Sequence, residues 1–125
     1  MSPRHIPATM HELARIGLLA ELPGETLAGL AKRMIREEVP AGTTPVAEGE
    51  PGDRFFVVLA GMFAVSQESR GPRRVLRPGD YFGEVALAMD IPRTASVRAL
   101  TPATVASCDR ATFDEYVRPL FADTI

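Results

Sequence analysis

The stretch FGEVALAMDIPRTASV, residues 82–97, sets Glu84 and Arg93 nine residues apart in a segment that is mostly small and apolar. Such paired charges usually form an ion pair or lie separately on the surface. The small residues around them instead suit a close approach by another molecule. Glu84 and Arg93 are therefore either structural charges or the polar groups of a binding site.

The composition limits the class of protein. A chain of 125 residues with 46% hydrophobic residues can bury one core without metals or disulfides. The formal charge of −2 gives no electrostatic reason to expect a nucleic-acid partner. Cys108 is the only cysteine, and no apolar run approaches the roughly 18 residues of a membrane span. We expect a cytoplasmic protein, or a cytoplasmic domain of a larger one, without direct membrane insertion.

The pattern of apolar residues in the sequence changes at Pro40. Between residues 11 and 39 the pattern is helical and predicts one or two amphipathic helices. Four apolar residues recur there at the spacing of one helix face: Leu27, Leu30, Ala31 and Met34. After Pro40, short apolar and β-branched runs are interrupted by glycine and proline about every ten residues. This rhythm is typical of a small antiparallel barrel.

Individual strands can be placed within the barrel region. Residues 55–60, FFVVLA, are apolar on both alternating faces and predict a strand that is buried on both sides. Gly61 is predicted to form the turn into the next strand. Further strands are predicted at 95–99 and 103–108. Asp109 is a suitable N-cap for a last helix over 111–117. The predicted order is helix, barrel, helix.

Residues 82–97 contain groups that suit a ligand-binding site. A short helix is predicted at 84–89, and its first N–H groups are free to meet an anionic oxygen, with no side chain at Gly83 to block the approach. Pro92 is expected to end the helix. Arg93 follows, and its planar guanidinium suits two oxygens of a phosphodiester. Glu84, if ionised, accepts a hydrogen bond from a hydroxyl such as that of ribose. Together they match the polar half of a nucleotide with a single phosphate charge.

The same residues resemble the phosphate-binding cassette of the cyclic-nucleotide-binding domain family. Its pattern runs Phe-Gly-Glu, an apolar residue, Ala-Leu, four variable residues, Pro-Arg, Thr/Ser/Ala, Ala, Thr/Ser, Val, and this sequence fills every fixed place. Residues 18–23 resemble the entry helices of the family, and residues 48–61 resemble its barrel strands. The resemblance implies a mainly β fold, a jelly-roll-like antiparallel β-barrel with flanking α-helices.

The resemblance also implies a function without catalysis. The chain would be a regulatory sensor domain that binds cyclic AMP or cyclic GMP and relays the event through its flanking helices. Glu84 would accept the ribose 2′-hydroxyl, and Arg93 would neutralise the cyclic phosphate. The expected ligand-binding residues are Phe82, Gly83, Glu84, Val85, Ala86, Arg93, Thr94 and Ala95. No metal or other cofactor is expected. Cyclic AMP is favoured by family frequency, although the Thr94 hydroxyl is a feature that can favour cyclic GMP.

The resemblance suggests a division of the chain. It gives an N-terminal extension at 1–14, the cyclic-nucleotide-binding domain at 15–118, and a tail at 119–125 that holds only a truncated lid helix. Pro119 is expected to disfavour a continuous helix through that point. The output domain or partner would lie outside this chain.

Rival functions find little support in the sequence. A metal-binding barrel enzyme would need histidines, but His5 and His11 both precede the barrel, and Cys108 lies in an apolar run. An arginine cluster near residues 71–72 predicts a solvated hairpin rather than a nucleic-acid surface: Arg70, Arg73, Arg74 and Arg77. One alternative stays open, a structural or protein-interaction module that keeps the barrel and no longer binds nucleotide.

Overall fold

Two short helices precede the sheets in this computed structural model, which describes residues 6–122. The helices are α1 (Met10–Ala14) and α2 (Gly24–Arg33), with consecutive turns over 15–22 between them. In α1, the side chain of Thr9 accepts from the backbone N–H of Glu12, whose carboxylate accepts from the N–H of Thr9. In α2, one face is buried through Leu27, Leu30 and Ala31. The N-terminal amphipathic helix prediction is confirmed in this part.

The helical prediction is wrong at its C-terminal end. Residues 35–39 form strand β1 (Ile35–Val39), which pairs with the last strand of the chain. The first and last residues of the segment are β-branched, which favours a strand, and the pairing satisfies its backbone groups. Tertiary pairing therefore overrides a local pattern that fits a helix.

Within residues 6–122, seven strands form two antiparallel sheets. The remaining strands are β2 (Arg54–Ala60), β3 (Phe63–Gln67), β4 (Gly71–Leu76), β5 (Tyr81–Phe82), β6 (Ser96–Ala99) and β7 (Ala103–Asp109). The four-stranded sheet has the order β1-β7-β2-β5, and the three-stranded sheet has the order β4-β3-β6. The short helix α3 (Glu84–Met89) leaves β5 and leads toward β6. The mainly β architecture with flanking helices is confirmed.

Strand β2 separates two hydrophobic clusters. Phe55 and Val57 face the helical cluster, which also contains Leu13, Leu30, Leu87, Phe113 and Val117. Phe56 and Val58 face the inter-sheet cluster, which also contains Phe63, Leu76, Phe82, Val97 and Val105. All four β2 residues are buried, because successive side chains point to opposite faces and both faces are covered. The prediction of a strand buried on both sides is confirmed.

The C-terminal helix consists of three pieces: α4 (Arg110–Thr112), a π-helical turn (Phe113–Val117) and α5 (Arg118–Ala122). Asp109 caps its start as predicted, since its Oδ1 accepts from the N–H of Thr112 at 2.9 Å. The expected break at Pro119 is wrong. The helix continues through Pro119, the second residue of α5. This proline lies directly after the π-helical turn, where the regular i→i−4 hydrogen-bond ladder is already interrupted, so its missing N–H removes little.

The described part of the tail packs on the helical cluster. The ring of Phe121 lies 5.8 Å from that of Tyr81 and 6.3 Å from that of Phe113. The division at 1–14, 15–118 and 119–125 stays a prediction, and residues 1–5 and 123–125 lie outside the described residues.

Candidate functional site

All eight predicted ligand-binding residues line one open cavity of about 110 Å³, between α3 and the three-stranded sheet. They are Phe82, Gly83, Glu84, Val85, Ala86, Arg93, Thr94 and Ala95. Four further residues complete the lining: Val46, Val65, Arg74 and Val97. The residues of the motif thus lie around a single cavity, while the opposite wall, formed by β3 and β4, contains residues that the motif does not include.

Arg93 is held in place by hydrogen bonds to the protein itself. The residue is only 7% exposed, and its two terminal nitrogens donate to the carbonyl oxygens of Gly83 and Arg54, each at 2.9 Å. Its own backbone is paired as well, with an N–H bond to the carbonyl of Glu50 at 2.8 Å. A guanidinium has more N–H donors than these two bonds use, so donors remain for a ligand oxygen.

Two glycines make room for this arrangement. Gly83 precedes α3 with φ of 91°, and a Cβ there would lie 2.9 Å from the carbonyl oxygen of Arg54. A Cβ on Gly52 would lie 2.6 Å from Nε of Arg93 and 2.8 Å from Cβ of Ala86. Gly52 was not predicted as part of the site. In the sequence it follows a proline, and that pair signals only a turn.

Glu84 and Arg93 do not form the ion pair that would have explained their spacing. The four ion pairs within residues 6–122 are Arg33–Glu115, Arg36–Glu12, Arg110–Asp90 and Arg118–Asp114. Burial raises the pKa of the half-buried Glu84 carboxyl, while its own backbone N–H and the charges of Arg74 and Arg93 oppose the rise. Burial lowers the pKa of Arg93, and the charges of Asp53 and Glu84 oppose this. Both charged groups are poorly solvated, and a polar ligand can supply the hydrogen bonds that burial takes from them.

The segment that follows Arg93 is anchored on both sides. Gln67 of β3 donates through Nε2 to the carbonyl oxygen of Thr94 at 2.9 Å. The hydroxyl of Ser96 accepts from the backbone N–H of Glu48 at 2.9 Å. These two hydrogen bonds hold Thr94 and Ser96, the hydroxyl-bearing residues of the motif, in place.

The far end of α3 is held by the C-terminal helix. Arg118 donates to the carbonyl oxygens of Leu87 at 2.8 Å and Ala88 at 3.0 Å. Arg110 donates to the carbonyl of Leu87 at 3.3 Å and to that of Gly52 at 3.2 Å. The last carbonyls of a helix lack internal partners and carry partial negative charge, so cations are favourable there. These contacts join the cavity to the C-terminal helix, and sequence reasoning did not anticipate them.

The described residues show no second chemical centre. Within 6–122, no group of three His, Cys, Asp or Glu side chains is placed to hold a metal ion. Burial raises the pKa of the Cys108 thiol to about 12, so at neutral pH it is a buried apolar group. His5 lies outside the described residues. The same part of the chain has no helix with both the length and the apolar character to cross a bilayer.

A buried guanidinium and a half-buried carboxyl in one cavity are groups that suit a small anionic ligand. The family model of the cyclic nucleotide-binding domain matches residues 36–119 of the sequence, and the chain belongs to this family.

Relatives and solved structures agree with this assignment. The cAMP-dependent protein kinase regulatory subunit of Aspergillus niger is 38% identical over 109 residues, which are 86% of this chain and 26% of that subunit. The CRP-like cAMP-activated global transcriptional regulator of Mycobacterium tuberculosis is 32% identical over 102 residues, 78% of this chain and 46% of the regulator. The regulatory domain of Toxoplasma gondii PKA, solved with cAMP, superimposes with a TM-score of 0.83 at 28% identity, covering 92% of this chain and 47% of that one. The chain thus spans only part of each relative.

Proposed function

We propose that this domain is a regulatory sensor that binds a cyclic mononucleotide, with cyclic AMP as the first candidate, and relays binding through its C-terminal helix. The observation that carries the proposal is Arg93, a buried guanidinium that stays at the cavity through bonds to the carbonyls of Gly83 and Arg54. A preorganised cation binds an anion without first paying an ordering cost. The names of the Aspergillus niger and Toxoplasma gondii proteins support cyclic AMP as the ligand.

Each polar group of the cavity has one role in this proposal. Arg93 donates its remaining N–H groups to the oxygens of the cyclic phosphate. Glu84 accepts a hydrogen bond from the ribose 2′-hydroxyl, which returns to its carboxylate the polar contact that burial removes. Gly83 and Ala86 let the sugar-phosphate approach the backbone, and Thr94 and Ala95 complete the phosphate end. The domain does no chemistry on its ligand.

The relay uses the two ends of α3. The ligand binds beside Gly83, and the carbonyls of Leu87 and Ala88 at the other end are bound by Arg110 and Arg118. A helix as short as six residues moves as one body, so tightening at the ligand end changes the geometry at the arginine end. A ligand that favours one arrangement shifts the population of the C-terminal helix.

The output lies outside the binding domain in this proposal. The relatives are named for two different outputs, a protein kinase and a transcriptional regulator, and this chain spans 26% and 46% of them. We place the binding unit at residues 15–118, in the cytoplasm, with an output domain or protein partner that the C-terminal helix contacts. A nucleic acid is not among the direct ligands of this domain.

One observation favours a second candidate, a structural module that no longer binds nucleotide. The guanidinium of Arg93 already holds two carbonyl oxygens, which is a sufficient structural role for a buried arginine. The two candidates make opposite predictions for ligand binding.

Isothermal titration calorimetry separates them. We expect saturable binding of cyclic AMP or cyclic GMP, and much weaker binding of 5′-AMP, whose open phosphate carries a second charge that the cavity does not match. Heat from neither cyclic nucleotide, with a protein that unfolds cooperatively, would leave the structural module as the function.

A further inference from the structure

Gln67 binds the segment after Arg93 at the point where a strand pairing ends. Strand β3 pairs with β6 as far as Ser66 and Ser96, and Gln67 is the next residue of β3. Its Nε2 donates to the carbonyl oxygen of Thr94 at 2.9 Å, so a side-chain bond continues the contact where the backbone pairing stops. Gln67 does not line the ligand cavity, so it can affect a ligand only through the residue that it binds.

This bond fixes the orientation of one peptide group. The carbonyl of Thr94 and the N–H of Ala95 belong to the same planar trans peptide, in which the two groups point in opposite directions. The carbonyl points toward Gln67 on β3, so the N–H points away from β3. Within residues 6–122 this N–H has no hydrogen-bond partner in the protein. Thr94 and Ala95 both line the cavity, so the cavity has a free donor of fixed direction close to Arg93.

The neighbouring backbone does not hold this peptide. The backbone N–H and carbonyl of Arg93 are bonded to the loop at 49–50, each at 2.8 Å, and these bonds end one residue earlier. Among the described residues, Gln67 makes the one hydrogen bond to the peptide between Thr94 and Ala95. We propose that Gln67 is a positioning residue, which turns the N–H of Ala95 toward an exocyclic oxygen of the cyclic phosphate. This inference rests on the proposed function, in which Arg93 binds the same phosphate.

The test uses two sulfur analogues of cyclic AMP. In the Sp and Rp diastereomers of cyclic AMP phosphorothioate, sulfur replaces one or the other exocyclic oxygen of the phosphate, and sulfur is the weaker hydrogen-bond acceptor. The affinities of cyclic AMP and of both diastereomers are measured by calorimetry, directly or by displacement of cyclic AMP. The proteins are the wild-type chain and Gln67→Leu, which keeps a side chain of similar size without a donor.

The positioning role predicts unequal losses. We expect Gln67→Leu to weaken cyclic AMP and one diastereomer by roughly 3- to 10-fold, the net effect of one hydrogen bond. The other diastereomer carries sulfur at the atom that the N–H of Ala95 meets, so it lacks most of this bond already in the wild type. It should weaken clearly less, because two changes to one contact are not additive.

Two further variants support the test. Gln67→Glu keeps the size of the side chain, but its carboxylate only accepts hydrogen bonds, so it should show the same difference between the diastereomers. Ser66→Ala is the control. Ser66 precedes Gln67 on β3, its side chain points to the opposite face of the strand, and it does not line the cavity. It should leave all three affinities unchanged. Cooperative unfolding in urea confirms that each variant is folded.

Other outcomes overturn the inference. An equal loss for the three nucleotides in Gln67→Leu would show that Gln67 only supports the general structure of the site. Unchanged affinities would show that the orientation of the peptide does not depend on Gln67. Both results leave the proposed function intact, because the wild-type chain still binds cyclic AMP. Binding of none of the three nucleotides by the wild-type chain would remove both the inference and the proposed function.

Discussion

The two ends of helix α3 are held by different partners. At the start, Gly83 and Arg93 are ten residues apart in the chain, and the bond between them closes a loop within the motif. At the end, the carbonyls of Leu87 and Ala88 are bound by Arg118, which is 31 and 30 residues away. The start is a local structure with room for a ligand, and the end is a long-range junction with another helix. A helix with a ligand cavity at its start and a contact to a second helix at its end allows a domain to bind at one place and respond at another.

The largest expected effect comes from breaking the ligand end with Arg93→Ala. Losing a charge-assisted phosphate contact should cost about 2–4 kcal/mol of binding free energy for cyclic AMP by calorimetry. Arg98→Ala is the matched control, since Arg98 is exposed on β6 and its side chain makes a 3.4 Å hydrogen bond to the carbonyl of Gly42, away from the cavity. Unchanged affinity in a folded Arg93→Ala protein would refute the role of this arginine.

Gly52→Ala disturbs Arg93 without removing it. The new Cβ would lie 2.6 Å from Nε of Arg93, so the guanidinium must move, and we expect a loss of about 1–3 kcal/mol in the free energy of unfolding, with weaker ligand binding. Urea unfolding and calorimetry measure the two effects. Gly24→Ala is the control, because nothing lies within 4 Å of its added Cβ. Equal behaviour of the two variants would contradict the packing role of Gly52.

Arg118→Ala breaks the other end of α3. The side chain is partly exposed, so we expect a modest loss of about 1 kcal/mol in the free energy of unfolding. The response of the C-terminal helix to ligand should fall much more than ligand affinity does, as measured by hydrogen exchange.

The control for this variant is Arg33→Ala. Arg33 also binds the C-terminal helix, through Glu115 at 2.7 Å, but both side chains are about half exposed and neither touches α3. It should leave the ligand response intact. A response that survives Arg118→Ala as fully as it survives Arg33→Ala would show that these bonds are not the relay.

The smallest expected effect concerns the protonation of Glu84. Its pKa in the folded chain is raised above the ordinary value of 4.5 by burial. The protonated form therefore favours folding: this contribution is complete below pH 4.5 and is lost as the pH rises through the raised pKa. In the proposed function Glu84 binds the ribose in its ionised form, so the affinity for cyclic AMP should weaken as the pH falls through the same window. Glu84→Gln should bind more weakly at neutral pH and show a flatter profile, and an unchanged profile would exclude Glu84 as the titrating group.

The difference between the two ends also explains what the sequence could predict. Gly83, Glu84 and Arg93 lie in one short segment, so their meeting at a cavity follows from a helix that starts at 84 and a strand that follows 93. Gly52 lies in the loop before β2 and Arg74 lies on β4, and no local pattern shows that they line the same region as the motif. Arg110 and Arg118 look like ordinary surface charges of a helix until the fold brings them to the end of α3. Strand β1 was missed for the same reason, because its partner is β7.

In the proposed function one end of α3 senses the ligand and the other reports it, and hydrogen exchange over residues 109–120 tests this most directly. With the protein saturated by cyclic AMP, as shown by calorimetry on the same sample, we expect amide exchange in this segment to differ from that of the free protein. Saturable binding with identical exchange in the two states would contradict a relay through the C-terminal helix.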